Sequence, residues 1–210
     1  MFTCAECTNC ACDREVKGEI PKNCPMRDTE LMTEAFNKYA LEENHEFYVK
    51  SSSIEGEGYC QWPRLREVIE CCKKMNYKKV GVAFCKGLQN EAKVVTGLLR
   101  KHGFNVVSVC CKAGGVSKEY VGIPDEKKIR PGNFEPMCNP IAQALLLNSQ
   151  HTEFNIVIGL CVGHDSMFYK YSEALVTTLV AKDRVLAHNP CGAIYLSEGY
   201  YKAKLEETLN

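Results

Sequence analysis

The sequence predicts an α/β fold: an open, mainly parallel sheet of about four or more strands with helices on both faces, preceded by a short cysteine-rich metal-binding segment. Three observations predict it. From residue 78 onward, short apolar runs alternate with amphipathic stretches, the pattern of strand–helix units that build a parallel sheet. The 210 residues are 45% hydrophobic and 25% charged, which suits a globular chain able to bury a core without staples. The first 27 residues differ: MFTCAECTNCACDREVKGEIPKNCPMR has no sustained period of 2 or 3.6 residues and is rich in cysteine. The expected organisation is therefore a head over 1–27 and an α/β domain over 28–210.

The head is too short to bury a core, so a bound metal is its natural organiser. Asp28 to Val49 reads as a helix, with Asp28 or Thr29 as N-cap and Leu31, Ala35 and Tyr39 on one face. Lys50 to Gly58, with three serines and two glycines, reads as a loop. Pro63 opens a second helix whose apolar side is Leu65, Val68, Ile69 and Cys72. Lys79–Cys85 is a short buried strand, and Leu88–His102 is an amphipathic helix closed by Gly103. Phe104–Cys111 is a second strand. The connection over 112–136 exceeds the usual loop length, which points to a functional loop. Asn139–Ser149 is a helix with Pro140 in its first turn, Phe154–Cys161 a third strand, Asp165–Leu175 a helix and Val176–Ala181 a fourth strand.

Composition removes several function classes. Lys plus Arg and Asp plus Glu each total 26, so the formal charge is zero, and no strong field for nucleic acid or an anionic membrane is expected. No apolar run approaches the ~20 residues of a membrane span. The opening residues lack the basic start and apolar core of a signal peptide, so a cytoplasmic location is expected. There is no phosphate-binding loop, dinucleotide fingerprint, H-E-x-x-H or G-x-S-x-G motif. Nor does any aromatic-rich basic segment suggest RNA binding.

Fourteen cysteines remain to be explained. In a reducing compartment such a number points to metal or redox chemistry. They form two groups. In the head, Cys4-x2-Cys7 is a chelating pair, because two intervening residues let both sulfurs face one ion. Cys12 and Cys24 can complete a four-thiolate set, with Cys10 as competitor. Zinc and a [4Fe–4S] cluster both accept these ligands. In the second group, Cys85, Cys111 and Cys161 each end a predicted strand, and the carboxyl ends of parallel strands border the binding crevice. Cys138 directly precedes a helix, whose N-terminus favours a thiolate. Cys60, Cys71, Cys72, Cys110 and Cys191 read as packing residues or spare thiols. Near the same rim, His164 is a candidate ligand or acid–base group and Lys182, in Lys182-Asp183-Arg184, a candidate anion holder. Glu91 and Lys112 are further candidates.

Several long phrases carry a resemblance: the head ending Lys22-Asn23-Cys24-Pro25-Met26, then VAFCKGLQNEA, GFNVVSVCCKAGG, MCNPIAQA, GLCVGHDSMFYKYSEA and TTLVAKDRVLAHNP. The chain resembles a prokaryotic family of unknown function labelled "predicted metal-binding protein". The resemblance implies metal binding, with Cys4, Cys7, Cys12, Cys24, Cys85, Cys111, Cys138 and Cys161 as the cysteines of those phrases. It implies no reaction. Leu175 stands where proline is expected, and Cys10 and Cys191 are additions.

Three functions follow as expectations. One is a metal or iron–sulfur protein whose strand-end site does redox or sulfur chemistry with a redox partner protein or a small anionic substrate. Another is a nonenzymatic zinc module with buried structural thiols. The last is a metal-free thiol redox enzyme using Cys110 and Cys111, or Cys161.

Overall fold

The structure, a computed structural model, describes residues 1–15 and 18–207. The chain divides into two compact units, Met1–Tyr59 and Cys60–Asn210. The head over 1–27 lies in the first unit, apart from Val16 and Lys17, which fall outside the described residues.

The first unit begins with three tight 3-10 turns, Cys4–Glu6, Ala11–Asp13 and Pro25–Arg27, followed by helices α1 (Thr29–Tyr39) and α2 (Glu42–Gly58). Asp28 caps α1 as expected, its carboxylate accepting the Leu31 N–H at 3.1 Å. The single helix expected over 28–49 is broken at Leu41, which is extended, and the Asn44 side chain donates to the Lys38 carbonyl across the break. Tyr39 and Tyr48 then meet with ring centroids 4.8 Å apart. The loop expected over 50–58 is helical. Serine disfavours a helix when it competes for backbone groups, but here Ser51 and Ser53 donate to the carbonyls of Tyr48 and Lys50 one turn back. Lys50 also pairs with Glu46 along the same face.

The second unit is a four-stranded parallel sheet in the order β2-β1-β3-β4, with β1 Lys79–Phe84, β2 Asn105–Cys110, β3 Phe154–Ile158 and β4 Leu175–Val180. Helices α3 (Arg64–Lys74), α4 (Gln89–Lys101), α5 (Pro140–Ser149) and α6 (His164–Tyr171) accompany it, and two short helices, α7 (Cys191–Tyr195) and α8 (Lys202–Glu206), follow. Side chains alternate across a strand. Ala83 and Val157 therefore share one face, packed with Ala144 and Leu147 of α5, Leu160, and Phe168 of α6. On the other face Phe84 and Ser108 line a groove with Gln89, Ala92 and Thr96 of α4. This is the two-faced α/β sheet that the alternating pattern predicts. Among the described residues no helix is long and apolar enough to cross a membrane.

Gly81, in the centre of the sheet, has no room for a methyl group. A Cβ there would overlap the carboxamide oxygen of Asn155, which is fully buried, and crowd Leu147. Asn155 is fixed in turn: its oxygen accepts from Thr152 Oγ1 at 2.9 Å and its nitrogen donates to Ser172 Oγ at 2.8 Å. A buried amide satisfied in this way ties the start of β3 to the segment that follows α6.

Several boundaries differ from expectation. β1 and β2 stop just before Cys85 and Cys111, and β3 stops at Ile158, three residues before Cys161. Gly159 turns the chain there at φ +59, and a side chain at this position would strike Leu88. The helix expected over 165–175 ends at Tyr171, and Leu175 already belongs to β4. Asn148 imposes that stop, donating to the Tyr171 carbonyl and accepting the Glu173 N–H.

Candidate functional site

The strand order puts β1 and β3 side by side with their connections leaving in opposite directions. Such a switch point opens a crevice outside the carboxyl ends of the strands. Backbone bonding continues past the strands at this edge and assembles the cysteines. The Cys85 N–H donates to the Ile158 carbonyl at 3.0 Å, the Cys111 N–H to the Phe84 carbonyl at 2.8 Å, and the Asn139 N–H to the Cys111 carbonyl at 2.8 Å. The first and second bonds align the ends of the three strands, and the third brings the start of α5 to β2. Asn139 also caps α5 through its side chain, accepting the Ala142 N–H. Buried Gln143 completes the brace, donating to the carbonyls of Phe84 and Val109. Its own Oε1 has no partner.

Cys85, Cys138, Cys161 and His164 consequently line one cavity of about 570 Å³, together with Lys112 and Arg184. Cys111 lies behind them, 2% exposed, with its thiol packed beside Cys85 and Cys138. It also receives the Lys86 N–H at 3.3 Å. The three sulfurs are not equivalent. Cys111 is pushed well above the usual thiol range, first by its sulfur partners and then by burial. Cys85 is held low, chiefly by the Cys111 thiol and further by the Gly87 N–H and Lys182. Cys138 is held low by the same Cys111 thiol, with Lys112 and His164 assisting. Cys111 has one hydrogen, so it serves one of its neighbours at a time.

Cations back each cavity sulfur. Lys182 Nζ lies beside Cys85 next to Gly87, Lys112 Nζ lies 3.4 Å from Cys138 Sγ, and Arg184 donates to Cys161 Sγ at 2.9 Å. Arg184 is aimed by a turn in which the Asp183 carboxylate accepts the N–H groups of Val185 and Leu186 and the Asp183 N–H donates to His188 Nδ1. Ahead of that turn β4 carries a bulge: Val157 pairs with Thr178 but Ile158 with Val180. Bulges re-aim a chain beside a site. The Nδ1 of His164 is buried without a partner.

The connection from β2 to α5 forms a lid over this cavity, supplying Val121, Ile129 and Met137 to its wall. It is held by a bridge between Ser117 and Pro136 and by Lys128, a buried cation bound to Glu119, Asp125 and the Asn133 carbonyl at 2.5–2.7 Å. Lys118 and Glu135 form a second ion pair.

In the first unit, Cys4, Cys7, Cys12 and Cys24 line a separate pocket of about 110 Å³, and Cys10 lines it too. Tight turns present them: Cys7 N–H donates to the Cys4 carbonyl, Asp13 N–H to Cys10 and Arg27 N–H to Cys24. Thr3 and Asn23 join the two ends, while Arg27 Nε donates to the Pro21 carbonyl at 2.9 Å. Cys10 takes the left-handed conformation, φ 48, and its thiol points to the Cys7 carbonyl at 3.6 Å.

All eight anticipated cysteines thus fall into the two anticipated groups. His164 lies in the crevice wall, and Lys182 reaches Cys85 directly. Glu91, on α4, is not part of the wall. Arg184 was legible only as a member of a charged tripeptide. Among the described residues, no group of three or more Cys, His, Asp or Glu forms a ready cage for a metal ion, and all fourteen cysteines are free. The crevice sulfurs are partnered with one another and with cations.

A family model described as a protein of unknown function (DUF1847) matches residues 24–179. The chain belongs to this family. The DUF1847 segment spans every crevice cysteine and Cys24, but begins after Cys4, Cys7, Cys10 and Cys12. An uncharacterized protein of Methanocaldococcus jannaschii is 46% identical over 204 residues, covering 97% of this chain and 98% of its own length. No solved structure matches the chain.

Proposed function

We propose that this DUF1847 protein is a cytoplasmic metal–thiolate protein with a structural site in the head and a working site in the strand-end crevice. The observation that carries this reading is the Cys111 thiol lodged between Cys85 and Cys138 at the switch point of the sheet. Sulfurs from the ends of two strands and the start of a helix, drawn from the β1–α4 and β2–α5 units, converge at this point. The donor set fits a soft metal: it is all sulfur, two of the thiols are biased toward thiolate, and a buried imidazole nitrogen without a partner stands in the same wall. Fourteen free cysteines suit a reducing compartment.

Cys85, Cys111 and Cys138 would hold the metal, with Cys161 as fourth ligand; Cys4, Cys7, Cys12 and Cys24 would do so in the head, where Cys10 competes. An iron–sulfur cluster would supply one-electron transfer, and zinc a Lewis acid. The chain's own residues do the rest. The Lys86 and Gly87 N–H groups donate to sulfur, Lys112, Lys182 and Arg184 offset thiolate charge, and the lid limits water. His164 is the candidate for moving a proton, and Lys182 and Arg184, of the same charged turn, are the candidates for holding an anionic group.

Anaerobic purification with metal and acid-labile sulfide analysis tests this. Wild type is expected to carry metal at both sites, and Cys111→Ala and Cys161→Ala to lose the crevice share while keeping the head share. Full metal content in both variants overturns the crevice site.

A second reading, metal-free dithiol exchange, is favoured by the direct thiol contact of Cys85 with Cys111. Cys85 thiolate would attack an external disulfide and release one thiolate. Cys111, giving up its proton, would then attack the Cys85 sulfur of the mixed disulfide, forming the Cys85–Cys111 bond and expelling the second substrate thiolate, which takes up a proton. A colourless, metal-free protein that reduces a small disulfide would select this reading.

A further inference from the structure

The crevice wall carries an excess of cations, although the chain as a whole is formally neutral. Lys86, Lys112, Lys118 and Arg184 outnumber the Glu135 carboxylate and the two thiols held low, Cys85 and Cys138. Glu135 is already committed to Lys118 and to the N–H groups of Ile129 and Arg130. A cleft with one sign of charge and low-dielectric walls concentrates ions of the opposite sign.

The cations are not equally available. Lys112 is bound to the Pro136 carbonyl and to Cys138, Lys118 to Glu135, and Lys86 to Gln89. Arg184 spends one nitrogen on Cys161. A guanidinium has five donors in a planar fork that fits a carboxylate or phosphate. Arg184 therefore keeps the most donors to spare, and holds them in a fork that no lysine offers.

The lid side is different. Val121, Ile123, Ile129 and Met137 offer no hydrogen bonds, and Ile129 remains 81% exposed beside the opening. Apolar surface at the mouth of a cavity is stabilised by whatever covers it. At about 570 Å³ the cavity is of small-molecule size.

We infer that the crevice binds a small amphipathic organic anion, its carboxylate or phosphate end on Arg184 and its apolar body under the lid against Ile123 and Ile129. This deepens the metal–thiolate reading, since the ligand would lie along the same sulfurs.

Calorimetric titration of the anaerobically purified protein with hexanoate, hexanol, hexylamine and inorganic phosphate tests the inference. Hexanoate is expected to bind saturably, phosphate and hexanol more weakly, and hexylamine not at all. Arg184→Gln is expected to weaken hexanoate about tenfold, the loss of one charge-assisted interaction. Ile129→Ser, at an exposed position that cannot unfold the sheet, is expected to weaken hexanoate several-fold while leaving phosphate unchanged. Equal binding of hexylamine and hexanoate, or hexanoate affinity unchanged in both variants, overturns it. Metal content measured on the same samples separates the two readings. Metal-free protein that takes hexanoate removes the metal and keeps the anion site, and metal-loaded protein indifferent to hexanoate does the reverse.

Discussion

Cys111 and Cys138 meet thiol to thiol across the gap between β2 and α5, because the N–H of Asn139 is bonded to the carbonyl of Cys111. One backbone bond beside the sulfurs thus fixes a contact between residues brought from two different elements, and Cys111, pushed up first by its two sulfur neighbours and then by burial, is the one that keeps its proton.

That asymmetry predicts unequal reactivity in metal-free protein. Cys85 and Cys138 lie below the ordinary thiol value of 9.0, so their thiolates form as pH rises through the lowered values and are present at neutrality. Cys111 lies above it and stays protonated there. Iodoacetamide labelling with mass mapping across pH 5–10 is expected to mark Cys85 and Cys138 at about pH 7 and Cys111 last. In Cys111→Ala the labelling midpoints of Cys85 and Cys138 are expected to move up, since their largest favourable partner is gone.

The lid has its own pH window. Asp125 and Glu119 are held low by the Lys128 ammonium, and Glu135 by Lys118, while Lys128 is raised, first by Asp125 and then by Glu119. A depressed carboxylate stabilises the lid above its unfolded value and ceases to do so as pH falls through the folded one; the raised ammonium stabilises it below its unfolded value and ceases to do so as pH rises through the folded one. The lid should therefore hold through neutrality, loosen below the ordinary aspartate value of 3.8 and loosen again above the ordinary lysine value of 10.5. Hydrogen exchange of the 118–135 amides, corrected for intrinsic rates, measures it. Lys128→Met is expected to expose the same amides at pH 7.

Gly81→Ala should destabilise the second unit by about 1–3 kcal/mol, the usual cost of overpacking, because the new methyl must displace Asn155 from Thr152. Denaturant unfolding checks the value, and an unchanged midpoint would contradict the packing described for this position.

Phe168→Ala removes a fully buried ring from the core formed by Ala83, Leu147, Leu160 and Cys111. A loss of about 3–5 kcal/mol is expected. Because Phe168 holds α6 against that core, His164 at the start of the same helix should lose its fixed position. The readout is broadening of the His164 imidazole signals by NMR.

Cys4→Ser combined with Cys24→Ser should remove metal from the head while leaving the crevice share intact. Metal counting on the double variant checks this, and loss of both shares would mean that the two sites are not separable.

Much of this was legible in the residues. The alternation of apolar strands with amphipathic helices marks β1 to β4, and a cysteine at the end of three such runs marks the crevice, because parallel strands must bring their carboxyl ends to one edge. Residues 50–58 were not legible as helix, since the serines' backbone partners exist only once the helix has formed. The end of β3 was misjudged because Gly159 turns the chain against Leu88, a contact made by the folded core. Arg184 was hidden for a similar reason: its aim comes from the bulge in β4 and the turn at Asp183, and neither leaves a periodic trace. The lid could be recognised by its length, but not the buried Lys128 that holds it, because a lysine in a charged stretch reads as solvated.

The placement of the crevice sulfurs on separate strand–helix units also dictates an order of biogenesis. The head's five thiols fall between residues 4 and 24 and can gather as soon as that short stretch leaves the ribosome. The crevice cannot exist until β3 has slotted in beside β1, after residue 158 has been synthesised. Any guest that needs all of its walls, which run on to Arg184, is thus taken up only after the sheet has assembled.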